Sequence, residues 1–311
     1  MLFIHIKSWY SKTNEMEVIM DVRVLKYFLT VAQEENITRA AEILHTSQSN
    51  LSRQLADLEN ETGKKLFERG NRKISLTEEG MFLRKRAKEI IELVERTESD
   101  LSTYDEIISG VVHIGAAETH AMRLLADSML MLRNSHPQIQ FDIFSGSTVE
   151  VTDLINKGLI DFGILVAPVD LQRYDYLQLP TRDIFGVLMR KDSPLANLSS
   201  ITPDDIKDQP VLCSKQQIDG NILSSWLGID PKDLNVVSTF NLITTPAMMV
   251  EAGLGYAFTF DKLVKTDGDS NLCFRPLDPV MDTGLYMVWK KYQIFTKSAS
   301  AFLEEVRKNL F

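Results

Sequence analysis

The sequence predicts a multidomain α/β protein: a small helical module with a β wing, then one long helix, then two α/β lobes. Three observations predict it. Apolar residues recur at helical spacing from Val24 to Leu58 and then give way to short extended runs. Residues 77–109 contain no proline, and their one glycine, Gly80, falls in the first turn, so a single helix can run through them. After Gly110, strand-like and helix-like segments alternate, the pattern of a sheet with helical cover. A chain of 311 residues is also too long for one small core.

Composition narrows the function classes. With 44% hydrophobic and 25% charged residues, the chain is not a disordered one. A net charge of -9 does not mark a nucleic-acid binder, so the distribution of charge matters more than its sum. Cys213 and Cys273 lie far apart, which argues against a disulfide framework and fits a reducing cytoplasm. No apolar run is long enough to span a membrane, and the expected location is cytoplasmic. Residues 1–19 begin apolar, but Lys7 interrupts them and no small-residue cleavage site follows. They read as an N-terminal extension outside the fold.

Residues 20–76 read as a winged helix-turn-helix. Val24, Leu25, Phe28, Leu29, Val31 and Ala32 give a first helix one apolar face. Asn36 can cap a short second helix over residues 37–44, with Ala40, Ala41 and Leu44 inward. Small residues there let a second helix cross closely. His45-Thr46 makes the turn, Ser47 caps a third helix, and Gly63 ends it. Leu51, Leu55 and Leu58 point inward, leaving Gln48, Ser49, Asn50, Ser52 and Arg53 outward. Short polar groups plus one Arg are what a recognition helix offers to base edges and phosphates. Two extended pieces flank Gly70-Asn71 and form a basic wing. Arg39 to Lys88 holds eleven Lys/Arg against seven Asp/Glu, a local excess of four positive charges. The candidate DNA contacts are Arg39, Thr46, Ser47, Gln48, Ser49, Asn50, Ser52 and Arg53, with Arg69, Arg72 and Lys73 on the wing.

These residues carry a family resemblance. Ile37-Thr38-Arg39-Ala40-Ala41, Ser47 to Leu55, Leu58-Glu59, Gly63, Leu66-Phe67-Glu68-Arg69 and Leu76-Thr77-Glu78-Glu79-Gly80 together resemble the winged helix-turn-helix of LysR-type transcriptional regulators. One departure is visible: Ser49-Asn50 stands where the family often has Pro-Ala or Ser-Ala. Asn can pair with adenine edges, so Asn50 bears on operator choice.

Residues 77–109 form the linker. Leu83, Ala87, Ile90, Val94, Thr97, Leu101, Tyr104 and Ile108 recur at steps of three and four, a heptad seam with charged flanks. About thirty helical residues span roughly 45 Å. A two-chain coiled coil and a core-packing helix within one chain both fit the spacing. The resemblance favours the first, and implies a homodimer that pairs into a dimer of dimers.

Residues 110–311 read as two lobes, the first about 110–180 and 280–311, the second about 181–279. Strands over 111–116, 141–145 and 162–166 alternate with helices over 122–135 and 149–157. A second alternating set runs from Val211 to Thr259. The family resemblance extends here more weakly and implies a fold resembling periplasmic binding proteins, with a small-molecule effector between the lobes. Ligands of such sheets sit beyond the carboxyl ends of the strands. Those ends supply the candidate effector residues: Glu118, Thr119, Ser145, Ser147, Thr148 and Ala167 in one lobe, and Ser214, Lys215, Asn241 and Thr259 in the other. Ser147 and Glu150 also fit a capping box. A helix N-terminus there could greet an anionic effector. Glu118 has three open readings: a pair with His120, a pair with Lys215, or an acceptor for an effector amine.

The sequence shows no phosphate loop, nucleophile elbow or clustered metal ligands, so it predicts no enzyme, no cofactor and no metal site. Two alternatives remain. A thiol-based redox sensor needs Cys213 and Cys273 to meet, or one of them to be a reactive thiolate. A two-lobed solute-binding protein needs an export signal and no helix-turn-helix. The resemblance implies double-stranded operator DNA and RNA polymerase as partners, no membrane, and control by an effector that shifts the populations of lobe arrangements.

Overall fold

A computed structural model describes residues 20–69, 73–102, 108–220 and 222–310. The extension over residues 1–19 lies outside them. The chain divides into two compact units, one ending at Glu98 and the other starting at Ser99.

The first unit opens with α1 (Val22–Glu34), α2 (Ile37–Ile43) and α3 (Gln48–Thr62). Each start is capped by a side chain: Asp21, Asn36 and Ser47 accept from backbone N–H groups one turn into α1, α2 and α3. Gly63 closes α3 at φ 65°, a left-handed conformation that L side chains resist. Leu25, Phe28, Ala40, Ala41, Leu51 and Leu58 form the centre of the core, each at most 3% exposed. The wing is β1 (Phe67–Arg69) paired antiparallel with β2 (Ile74–Leu76). Its tip, residues 70–72, lies outside the described residues.

The linker is α4 (Glu78–Ser102). Its first turn presses so close to Leu66 that a Cβ on Gly80 would stand 2.1 Å from the Leu66 carbonyl oxygen, so only glycine fits. The structure then splits the expected seam. Leu83 and Ala87, with Ile91, are buried in the core of the DNA-binding unit. Ile90, Leu93 and Leu101 are exposed at 38%, 42% and 62%. The predicted seam thus divides: Leu83 and Ala87 turn into the unit's own core, while Ile90 and Leu101 face outward and Leu93 joins them there. Tyr104 lies outside the described residues, and Ile108 packs on the core of the first lobe.

The second unit carries one sheet in which nine strands are described. Lobe 1 contains β3 (Gly110–Ala116), α5 (Met122–Ser135), β4 (Ile139–Ser145), α6 (Thr148–Lys157) and β5 (Phe162–Val166). The chain then crosses on β6 (Tyr174–Arg190) into lobe 2. There α7 (Pro203–Ile206), β7 (Val211–Ser214), α8 (Lys215–Asp219), α9 (Ile222–Leu227), β8 (Val236–Phe240), α10 (Thr244–Glu251), β9 (Tyr256–Phe260) and β10 (Leu272–Pro276) follow. It returns on β11 (Asp282–Lys290) and ends with α11 (Lys297–Leu310) in lobe 1.

Strand order is β4-β3-β5-β11-β6-β9-β7-β8, with β10 also on β6. Strands β3, β4 and β5 run parallel, as do β7, β8 and β9. The first part of β6 pairs with β11 up to Ile184, and Phe185 onward pairs with β9. The β11–β6 register shifts between Gly284 and Tyr286. Phe162 anchors the core of lobe 1, its ring 5.0 Å from Phe295 and 5.7 Å from Phe302. No helix among the described residues is long and apolar enough to cross a membrane.

Candidate functional site

The first site is the outer face of α3. Ser47, Gln48, Ser49, Asn50 and Arg53 are exposed, and Thr46 and Ser52 are half-buried. The turn is tight: Thr46 N–H donates to Ala41 O at 3.0 Å, and His45 holds φ 50°. Ser47 Oγ accepts from Asn50 N–H at 3.2 Å. Asn50 Nδ2 donates to Thr46 Oγ1 at 2.9 Å, so the residue that departs from the family pattern is held against the turn.

Three of the predicted cations lie against acids. Arg39 meets Glu34 at 2.8 Å, Lys73 meets Glu35 at 2.7 Å, and Arg53 lies 3.9 Å from Asp57. The three cations are themselves exposed, and water screens such pairs, so a phosphate can displace the acids. The side chain of Arg69 and all of Arg72 lie outside the description. Glu59, not selected from the sequence, fixes the wing to α3. Its carboxylate accepts from Leu66 N–H at 2.8 Å, Phe67 N–H at 3.2 Å and Lys65 Nζ at 2.8 Å. Burial alone would raise this carboxyl, but those donors outweigh it and hold it below its ordinary value.

The second site is a cavity of about 880 Å³ between the strand ends of the two lobes. Glu118, Ser147, Thr148 and Ala167 line it from lobe 1, and Ser214, Lys215, Asn241 and Thr259 from lobe 2. Two predicted residues depart. Thr119 is buried, and its Oγ1 accepts from Ala121 N–H at 3.1 Å, capping its own loop. Ser145 is exposed at the end of β4 and does not line the cavity. Phe185, Phe240, Phe258 and Phe260 add an apolar wall that the strand-end rule missed. Gln217 was missed too, although Ser214 with Gln217 three residues later is a capping-box spacing. Its Oε1 accepts from Ser214 N–H at 2.8 Å.

Glu118 pairs with neither His120 nor Lys215. Its Oε2 accepts from Ile243 N–H at 2.6 Å, a bond from lobe 1 to the start of α10 in lobe 2. Burial raises its carboxyl above the ordinary value, more than that one bond lowers it. The capping box is formed: Glu150 accepts from Ser147 N–H at 2.7 Å and from Ser147 Oγ–H at 2.8 Å.

The profile of the bacterial regulatory helix-turn-helix protein, lysR family, matches residues 22–81, and that of the LysR substrate binding domain matches residues 106–310. The chain belongs to the LysR family of transcriptional regulators. It is a DNA-binding regulator with an effector-binding domain. This LysR-type regulator is 30% identical over 279 residues to the Hca operon transcriptional activator HcaR of Escherichia coli (strain K12), covering 88% of this chain and 92% of that one. It is 28% identical over 291 residues to the HTH-type transcriptional regulator YfeR of Shigella flexneri, covering 92% and 93%. Full-length CbnR complexed with its target DNA shares the fold at a TM-score of 0.72 and 19% identity, with 93% of this chain and 100% of that one covered. The matches fit the effector-controlled regulator and not the thiol sensor or the solute-binding protein. The thiols agree: both are buried and free, and burial pushes Cys213 up to about 12.

Proposed function

We propose that this regulator reads a double-stranded operator as a homodimer, with α3 of each copy in a major groove and the wing on flanking phosphates. The exposed, N-capped polar face from Ser47 to Arg53 carries this reading. The stripe of Ile90, Leu93 and Leu101 on α4 supplies the dimer contact, because three large apolar groups in water on one helix favour a second copy. Dimers pair further into tetramers. A small molecule with an anionic group occupies the interlobe cavity, changes the balance of lobe arrangements, and so alters how RNA polymerase meets the promoter. The protein works in the cytoplasm by binding and not by catalysis.

Fluorescence anisotropy with labelled duplexes from upstream of its own coding sequence tests the reading. Upstream DNA should bind more tightly than a scrambled duplex of equal length. Arg53→Ala should weaken that binding and lower the salt slope by about 1, with thermal stability unchanged. Equal affinity for the scrambled duplex would overturn sequence-specific recognition. Wild-type affinity in Arg53→Ala at matched salt would remove Arg53 from the contacts.

A further inference from the structure

We propose that the effector is amino-acid-like, with its ammonium received by Glu118, its carboxylate by Thr148 and Lys215, and its apolar side chain by the phenylalanine wall. This rests on the interlobe cavity being the effector site.

The cavity wall is unevenly charged. Among the described residues, Glu118, Glu150 and Asp219 line it against the single cation Lys215. A simple carboxylate would enter a net negative space, which Coulomb's law opposes. Glu150 is committed to its capping box with Ser147. Glu118 is not so completed. It is half-buried, and Ile243 N–H is its one hydrogen-bond donor among the described residues. Among the described residues no Lys, Arg or His forms an ion pair with it: burial and the Ile243 bond are what act on its carboxyl. A carboxylate withdrawn from water with a single neutral donor is destabilised unless a cation completes it. A ligand ammonium is that cation.

The opposite charge has its own receptor. Thr148 is 8% exposed and lines the cavity, and its Oγ1 is buried with no hydrogen-bond partner. It begins the ten-residue α6, whose first N–H groups have no intrahelical acceptor. Lys215 lines the same cavity from lobe 2; after the Ser147 hydrogen bonds, its charge helps to lower the Glu150 carboxyl, and its ammonium forms no ion pair within 4.0 Å among the described residues. The strand ends bring both receptors together, since β3 and β4 are adjacent with Ala116 opposite Ser145. Because the Glu118–Ile243 bond joins the lobes, an ammonium at Glu118 acts directly on a contact that spans them.

Isothermal titration on the full-length protein tests this with L-leucine and L-phenylalanine. Each is matched with its deamino acid (4-methylpentanoate, 3-phenylpropionate) and its decarboxylated amine (3-methylbutylamine, 2-phenylethylamine). At least one amino acid should bind about tenfold more tightly than both its partners. Glu118→Gln keeps an acceptor for Ile243 and should erase the preference over the deamino acid. Deamino acids binding as tightly as the amino acids, or a preference that survives Glu118→Gln, would overturn the ammonium assignment. Binding by none of the six would overturn the ligand class. Asn241→Trp, at an exposed cavity position, separates the two readings. If it blocks whichever probe binds, the cavity stands as the site and only the head-group assignment is at risk. If it blocks none, the cavity reading itself fails, and this proposal with it.

Discussion

On α3 the polar residues from Ser47 to Asn50 stand in solvent and come from one unbroken run of chain. In the cavity, Glu118, Thr148, Lys215 and Thr259 arrive from four strand ends on two lobes, and Thr148 and Thr259 are buried. On the proposed reading, the first surface gives up its water only when DNA arrives. The second has part of its water removed on folding, so caps, ladders and walls must hold its groups in place beforehand. The contrast assigns different vulnerabilities. Damage to the recognition surface should come through the core beneath it, while damage to the cavity should come through single polar groups.

The largest expected effect lies under α3. Phe28 is fully buried, with its ring 5.2 Å from Phe67. Phe28→Ala should cost about 3–5 kcal/mol. Hydrogen exchange should show lost protection over residues 22–91 while residues 110–310 keep theirs. Loss of protection in both would show that the two units unfold together. Next, Glu59→Ala leaves the Leu66 and Phe67 N–H groups without their acceptor and should cost about 2 kcal/mol at neutral pH. The Glu59 carboxyl is held low in the folded state, so its contribution is present above the ordinary carboxylate range and is lost as pH falls through the folded value. The gap between wild type and variant in urea denaturation should narrow over that fall, and a gap independent of pH would contradict this.

The cavity should respond more gently. Ser147→Ala removes the cap of α6 and should lower stability by about 1 kcal/mol, read by thermal denaturation. Glu118→Gln should have the smallest effect and the opposite sign. Because burial raises the folded-state value of Glu118, the wild type loses stability as pH rises through that value. The variant's melting temperature should therefore be slightly higher at neutral pH and should merge with wild type below about pH 4, where both are neutral. A variant less stable at neutral pH would show that the charged carboxylate is already compensated.

The same contrast explains what could be read from the sequence. In the first unit the determinants are local. Asn36, Ser47 and Gly63 punctuate the helices, and Leu51, Leu55 and Leu58 repeat at helical spacing, so elements and facing follow from neighbouring residues. The α4 seam was only half legible. Leu83 and Ala87 share their spacing with the exposed stripe, and nothing local tells an apolar residue which partner will cover it. In the second unit, strand ends located the cavity but not the direction of each side chain. Thr119 sits one residue after Glu118 and turns inward to cap Ala121. Phe185 lies mid-strand, where alternation fixes its face but not that a cavity opens over it. Asp183, buried beside Thr119 and Asp261, carried no sequence signal either, because its surroundings come from distant segments.

The crossing strand β6 has a mechanical consequence. It is 17 residues long, roughly 56 Å at strand rise, and changes partners between Ile184 and Phe185 without leaving the sheet. The lobes are thus joined by a continuous hydrogen-bonded ribbon rather than by a floppy tether. Turning one lobe against the other must wind that ribbon, and a wound ribbon pushes back. The shift between Gly284 and Tyr286 on β11 is its soft spot, since an irregular ladder yields to twist more readily than a regular one. The effector-binding domain is sprung at its crossing strands: any turn of one lobe against the other would work against an elastic load.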